Sequence, residues 1–226
     1  VVAIVPVRAG SKGLPRKNIM PVGGAPLYLH AVNQGVRTIG QVLLSTDIDE
    51  IDAATLPSGC SLCHRPSELA ADDTPMERVI GHLIAERGLA GKTLVLLQAT
   101  SPLRLDADIH AALELFETRQ YDMVLSVVER DRGVLKFGTL EEGRFTAMRA
   151  QRFCFYNRQQ LPAVHGPNGA VYVFDADRFI DAGGFPCEKI GAVKMPVERS
   201  ADVDTLADLH HVERVMHMQN SKRQGF

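Results

Sequence analysis

Four cysteines in 226 residues are too few for a disulfide scaffold, and no apolar run approaches the length of a membrane span. Neither sign of charge is in surplus: 25 basic side chains stand against 27 acidic ones, a net of −2. That balance argues against a general nucleic-acid binder or a membrane-surface protein. The first residues have neither the charged n-region nor the apolar h-region of a secretion signal, so the expected address is the cytoplasm. Internal repeats and low-complexity tracts are absent. So are two common phosphate-binding signatures, G-x-x-x-x-G-K-[ST] and G-x-G-x-x-G. What the length does allow is one substantial α/β domain with a core of its own.

Apolar patterning supplies that domain. Val2–Val7 (VAIVPV) is a continuous apolar run of the kind that forms a strand buried on both faces. Val42–Ser45, Thr93–Leu97 and Met123–Val128 repeat the signal, and Cys60–His64 reads as a short strand. Helices are expected at Ala25–Ile39, about Asp49–Leu56, Pro75–Arg87 and Asp106–Arg119. In the third of these, Met76, Val79, Ile80, Leu83 and Ile84 recur at helical spacing. Such alternation predicts an open, mostly parallel sheet covered on both faces.

From about Glu129 to Pro167 the pattern breaks. A polar hairpin (KFGTLEEGRFTAMR) and an irregular stretch (FCFYNRQQLPAVHGPN) read either as a surface excursion or as a lid or subunit-contact arm. Strands return at Gly169–Phe174 and Ala192–Pro196, with a short helix over Asp175–Ala182. Leu206, Leu209, Val212 and Met216 mark a last helix. The organisation expected is one domain over 1–220 with an insertion at about 130–167, and a disordered tail at 221–226.

In open α/β sheets ligands bind beyond the carboxyl ends of the strands. Residues 5–18, VPVRAGSKGLPRKN, place Arg8, Lys12, Arg16 and Lys17 in a loop without an acid directly after the first strand. Gly10 and Gly13 let backbone come close to a ligand with its amides turned inward. Arg8, Lys12 and Lys17 add charge of the kind that phosphates attract. A solvated basic loop would explain the charge but not its placement, so phosphate binding is the expected role. Asp47 and QATSPLR (98–104) follow other strands and could share the same edge. Cys60-Ser-Leu-Cys63-His64 imitates a metal knuckle. Residues three apart on a strand point to opposite faces, however, and there is no second C-x-x-C, so no metal is expected there.

RAGSKGLPRKN closely resembles the N-terminal signature of the acylneuraminate cytidylyltransferases. STD (45–47), RPSELA (65–70), LLQATSPLR (96–104), RQQLP (158–162), PNGAVYV (167–173) and DVDT (202–205) are similar to further family segments, in the family's order and over nearly the whole chain. The resemblance implies a three-layer α/β/α Rossmann-like nucleotidyltransferase fold with a small inserted dimerisation arm, in a homodimer. It also implies a Mg²⁺-dependent reaction in which CTP and a nine-carbon, sialic-type sugar acid give the CMP-sugar and pyrophosphate. Ala99 stands where the family usually has proline, a change that removes no functional group.

In that reaction the anomeric hydroxyl attacks the α-phosphorus while pyrophosphate leaves in line, so catalysis is mostly positioning and electrostatic stabilisation. By resemblance, Arg8, Lys12, Lys17 and Asp204 serve catalysis. The same cations, with Ala9, Gly10, Ser11, Gly13, Asn18, Arg65, Thr100 and Ser101, hold the nucleotide. Thr100 and Ser101 also fit plain turn capping. Gln98, Lys136, Arg158, Gln160, Asn168, Tyr172 and Phe185 fall on the sugar side, with Arg158 as bidentate partner of its carboxylate. Phe185 fits a core position equally well.

Asp202 and Asp204 are the metal candidates. Alternation along an extended segment puts both carboxylates on one side, and a hard cation on phosphates takes one or two carboxylates from the protein. Thr205-Leu-Ala-Asp208 also resembles a capping box, so Asp204 could instead open the last helix. Legionaminic or pseudaminic acid would present the same carboxylate and anomeric hydroxyl as a sialic acid. A D-x-D glycosyltransferase is a more distant reading, which the free-triphosphate character of the opening loop disfavours. A non-catalytic nucleotide-binding protein is a third.

Overall fold

Strict alternation in the first strand sets up the layers. Ala3 and Val5 belong to the apolar cluster on one face of the sheet, Val2 and Ile4 to the cluster on the other, and none is more than 2% exposed. The computed structural model describes residues 1–11 and 13–223, apart from the side chains of residues 220, 222 and 223. Lys12 therefore lies outside the described residues, as do 224–226 of the expected tail.

In chain order, β1 (Val2–Pro6) leads through the basic loop into a small hairpin, β2 (Pro21–Val22) and β3 (Ala25–Pro26). Next come α1 (Leu27–Ile39), β4 (Val42–Thr46), β5 (Cys60–His64), α2 (Met76–Arg87) and β6 (Thr93–Leu96). They are followed by α3 (Asp106–Glu117), β7 (Met123–Arg130), and the arm hairpin β8 (Gly138–Glu141) and β9 (Arg144–Ala147). The chain closes with β10 (Val164–Asp175), α4 (Ala176–Asp181), β11 (Ile190–Met195) and α5 (Leu206–Arg223).

Seven strands form one sheet in the order β11-β7-β10-β6-β1-β4-β5, and β10 alone runs against its neighbours. The α/β fold with a mostly parallel sheet is the one the alternation predicts. On one face Tyr28, Ala31 and Val32 of α1 pack with Ile109, Ala112 and Phe116 of α3. Ile80, Leu83 and Ile84 of α2 pack with Ala176 and Phe179 of α4 on the other. Full burial of one such aliphatic or aromatic side chain contributes about 1.5–3 kcal/mol. A third cluster joins Leu209 and Val212 of α5 to Val22, Leu27, Leu103 and Val203, and this fastens the 202–205 segment beside the opening loop.

Three local differences from the sequence expectations have physical causes. The helix expected near Asp49–Leu56 is a single 3-10 turn, Ala53–Thr55, because the Asp52 carboxylate accepts the Ala54 amide (2.8 Å) and diverts the backbone into a local cap. Ala25 and Pro26 pair in β3 rather than opening α1. Residues 221–223, expected in the tail, continue α5. The arm leaves at the carboxyl end of β7 and returns as the start of β10. Its hairpin turns on Glu142 and Gly143, both at positive φ (47° and 82°), the backbone that two-residue turns demand.

Candidate active site

β1, β4, β5 and β6 are parallel, so their carboxyl ends meet at one edge. There the chain presents Arg8, Asp47, Arg65 and Gln98 within a few residues of the four strand ends. The loop after β1 is tied in place by polar contacts. The Ala9 amide donates to Asp47 Oδ1 (2.9 Å), and Asn18 Nδ2 donates to the carbonyl of Arg8 (2.9 Å). Asn18 is buried, so its amide organises the loop that displays Arg8.

The two glycines play different parts. Nothing lies within 4 Å of the position a Cβ would take at Gly10, which leaves that backbone open to a ligand. At Gly13 a Cβ would fall 2.5 Å from the carbonyl oxygen of Asp204. This glycine permits the loop to touch the 202–205 segment, a reason for glycine that the sequence reading did not contain.

Arg8, Lys17, Asn18 and Arg65 line one cavity with Gln98, Thr100, Asp202 and Asp204. Arg65 is buried, donating through Nε to Ser45 Oγ (3.2 Å) and through Nη2 to Ser45 O (3.0 Å). Desolvation pushes its pKa below the usual guanidinium range, partly offset by Asp47. Lys17, also buried, donates from Nζ to Asp204 Oδ1 (2.7 Å) and to the carbonyl of Val203 (2.8 Å). Arg8 reaches Asp72, a partner not anticipated from sequence because it arrives on the loop before α2. Met76, at the start of α2, is a second unanticipated lining residue.

The DVDT segment divides between two settings. The Thr205 amide donates to Asp208 Oδ2 (2.8 Å) and the Asp208 amide donates to Thr205 Oγ1 (3.3 Å), a reciprocal cap of α5. Asp204 and Asp202, one residue and three residues before Thr205, stay in the cavity. Between them Val203 is buried, and its amide donates to the carbonyl of Thr100 (2.8 Å). Burial raises the pKa of Asp202, the charge of Asp204 raises it further, and a side-chain hydrogen bond with Thr100 and the charge of Lys17 oppose the shift. Two carboxylates held together against their repulsion, one of them partly desolvated, form a donor set that fits a hard divalent cation.

Several residues nominated for the sugar side lie elsewhere. Arg158 pairs with Asp131 on the arm (3.1 Å), and Gln160 Oε1 accepts the Asn157 amide in a capped turn. Lys136 ends another arm turn, and none of the three lines the cavity. Asn168 is buried with its side chain fully engaged. Its Oδ1 accepts from Ser126 Oγ (2.6 Å) and its Nδ2 donates to Ser200 Oγ (2.9 Å). That network holds the register shift of β10 between Pro167 and Tyr172 rather than facing a ligand. Tyr172 and Phe185 pack ring against ring at 6.0 Å, and Phe185 also meets Phe174 and Phe179 at 5.3 and 5.5 Å. Phe185 is thus an aromatic-cluster residue, whereas burial and then the charge of Asp202 raise the Tyr172 pKa. Ser101 is buried with no hydrogen-bond partner for its hydroxyl among the described residues.

A strut beneath the site was also missed. Arg104 donates to Gln34 Oε1 (2.9 Å) and to the carbonyls of Ala170 (2.6 Å) and Gln98 (3.3 Å). Burial lowers its pKa to about 10. The strut's one trace in the sequence is the arginine that closes QATSPLR.

An α/β sheet whose parallel-strand edge gathers cations and paired carboxylates in one cavity has the makings of a phosphate-ligand site where such sheets bind ligands. The structure resembles that of a CMP:2-keto-3-deoxy-manno-octonic acid synthetase complexed with CTP. The TM-score is 0.69 at 14% identity, covering 96% of this chain and 98% of that one. At that identity the likeness is one of fold. The sequence profile of the cytidylyltransferases matches residues 2–160, and the chain belongs to that family.

An N-acylneuraminate cytidylyltransferase of Streptococcus agalactiae serotype V is 30% identical over 93% of this chain and 52% of its own length. The post-translational flagellin modification protein B of Campylobacter coli is 25% identical over 100% of this chain and 99% of its own. The chain therefore spans about half the length of the former and nearly all of the latter.

Proposed function

We propose that this chain activates a nine-carbon sugar acid as its CMP derivative, releasing pyrophosphate from CTP, with an N-acylneuraminate as the first candidate substrate. The observation that carries the reading is the cavity in which Arg8, Lys17 and Arg65 face Asp202 and Asp204 at the carboxyl edge of the sheet. Membership of the cytidylyltransferase family supports the nucleotide, and the Streptococcus relative, by its name, supports the sugar.

Within that reading Arg8 and Lys17 bind the triphosphate and neutralise charge on the leaving pyrophosphate, while Arg65 and Thr100 orient the nucleotide. Arg8 must exchange Asp72, and Lys17 must share Asp204, for phosphate oxygens when CTP arrives. Asp202 and Asp204 would hold Mg²⁺. When bound, that ion supplies charge stabilisation to the phosphate oxygens. Gln98 faces the sugar, with Gly169 giving it room: a Cβ there would lie 2.8 Å from Gln98 Oε1, and φ is +79°.

The arm supports a homodimer. Phe137, Leu140, Met148 and Phe155 are 61–86% exposed on it, a concentration of apolar surface suited to a second copy. Arm residues Lys136, Arg158 and Gln160, which do not line this chain's cavity, would then complete the partner's site.

The test is pyrophosphate release from CTP with N-acetylneuraminic, legionaminic, pseudaminic and 2-keto-3-deoxy-octonic acids. Turnover with one nine-carbon acid, lost in Asp204→Ala, is the expected result; no pyrophosphate with any of the acids, together with sugar transfer from a preformed sugar nucleotide, would sink the reading. Legionaminic and pseudaminic acids belong in the panel for a specific reason. The relative of matching length is named for flagellin modification and not for N-acylneuraminate.

A further inference from the structure

Cys63 is wholly buried on the face of β5 that packs against α2, while Cys60 joins the cluster on the opposite face. The two cysteines of the C-x-x-C therefore cannot share an ion. Cys63 nevertheless meets two other ligand-type side chains. Its Sγ lies 3.1 Å from Glu86 Oε2, and His82 Nε2 lies 3.2 Å from the same oxygen. One ligand atom from each of the three falls within 4.8 Å of the others.

His82 and Glu86 are four apart on α2, so both project over one stripe of the helix toward the strand. The other imidazole nitrogen, Nδ1, is buried without a hydrogen-bond partner among the described residues, which leaves Nε2 as the polar outlet of the ring. In a tetrahedral site with bonds of about 2.0–2.3 Å, neighbouring ligand atoms stand about 3.3–3.8 Å apart. The two observed separations need to open by only a few tenths of an ångström.

We propose that Cys63, His82 and Glu86 form a second metal site, one for a borderline divalent cation of the Zn²⁺ class, with water in the fourth position. Thiolate, imidazole and carboxylate are the donors such ions select, and Mg²⁺, which prefers oxygen ligands, does not compete for them. Binding breaks the S–H bond of Cys63, and the proton leaves to solvent as the thiolate joins the metal. The thiolate and Glu86 then balance the two positive charges of the ion. Arg87 stands beside the site without filling it: Nη2 donates to the carbonyl of Leu62 (2.6 Å), and Nε lies 3.7 Å from the far oxygen of Glu86, Oε1. Burial and then Glu86 push the Cys63 thiol up and Arg87 only partly opposes them, so it is the arriving ion that must displace the proton. Glu86 and His82 have side chains 41% and 24% exposed, which gives the ion its entry. The site does not depend on the cytidylyltransferase reading, since none of its ligands lines the cavity of Arg8 and Asp204.

The experiment is titration of the chelator-stripped full chain with Co²⁺ and with Zn²⁺, in excess Mg²⁺, read by absorption and by competition against a chromophoric chelator. One equivalent of Co²⁺ is expected to give a thiolate-to-cobalt charge-transfer band with visible bands of tetrahedral intensity. Cys63→Ser should abolish the charge-transfer band, and His82→Gln and Glu86→Gln should each weaken Zn²⁺ binding by about tenfold or more. Cys187→Ser and the double variant Asp202→Asn/Asp204→Asn should retain both. Circular dichroism establishes that each variant is folded; His82 and Glu86, being partly exposed, keep the test decisive if Cys63→Ser is not. Absence of the band in the wild-type chain would overturn the proposal and leave the trio as a hydrogen-bonded cluster. Its persistence in all three ligand variants would do the same.

Discussion

Asp202 illustrates the conflict between stability and function at the residue scale. Desolvation and then the charge of Asp204 raise its folded pKa above the ordinary carboxylate value of about 3.9. The folded state therefore holds this proton more tightly than the unfolded one, and stability falls as pH rises from about 3.9 through the raised value. At neutral pH the ionised side chain is a net burden on the metal-free fold. Asp202→Asn is expected to raise the melting temperature in chelator at pH 7, with the difference shrinking as pH drops below the carboxylate range. The same variant should bind Mn²⁺ more weakly by calorimetry and lose pyrophosphate release. Lys17→Met tests the opposite sign. It removes one buried cation from the cavity, and kcat should fall on the order of 10²–10³-fold. Circular dichroism should show the fold retained.

At the scale of elements, the site depends on contacts between segments far apart in the chain. Gly13→Ala would drive a methyl into the Asp204 carbonyl, and backbone cannot swing aside as a side chain can. Displacement of either the loop or the 202–205 segment should destabilise by roughly 1–3 kcal/mol in urea titration and raise the KM for CTP more than that for the sugar. Asn168→Ala removes the amide that joins the Ser126 and Ser200 hydroxyls behind the β10 register shift, leaving each with its backbone partners alone. A loss of roughly 1–3 kcal/mol is expected, and an unchanged denaturation midpoint would show that the network holds nothing. These elements also mark how far the sequence could be read. Apolar runs located the strands, because a strand buried on both faces needs them. The Asp49–Leu56 helix failed because one Asp52 carboxylate outweighed weak helical patterning.

For the whole molecule, the arm and its apolar surface matter most. Phe137→Glu with Phe155→Glu places charge where a second copy is proposed to pack. Sedimentation should then report monomer where the parent chain is dimeric, together with loss of activity at unchanged helix content. A parent chain that is monomeric at micromolar concentration would refute the dimer. The sequence by itself determined the alternating α/β architecture, the inserted arm and the basic loop, because each is written in local periodicity or in a local run of charge. Only the tertiary structure decided which of those charges meet. Lys17 finds Asp204, Arg8 finds Asp72, and Cys63 turns from Cys60 toward His82 and Glu86. Partners so distant in sequence leave no local trace, because their pairing is set by strand order and helix packing.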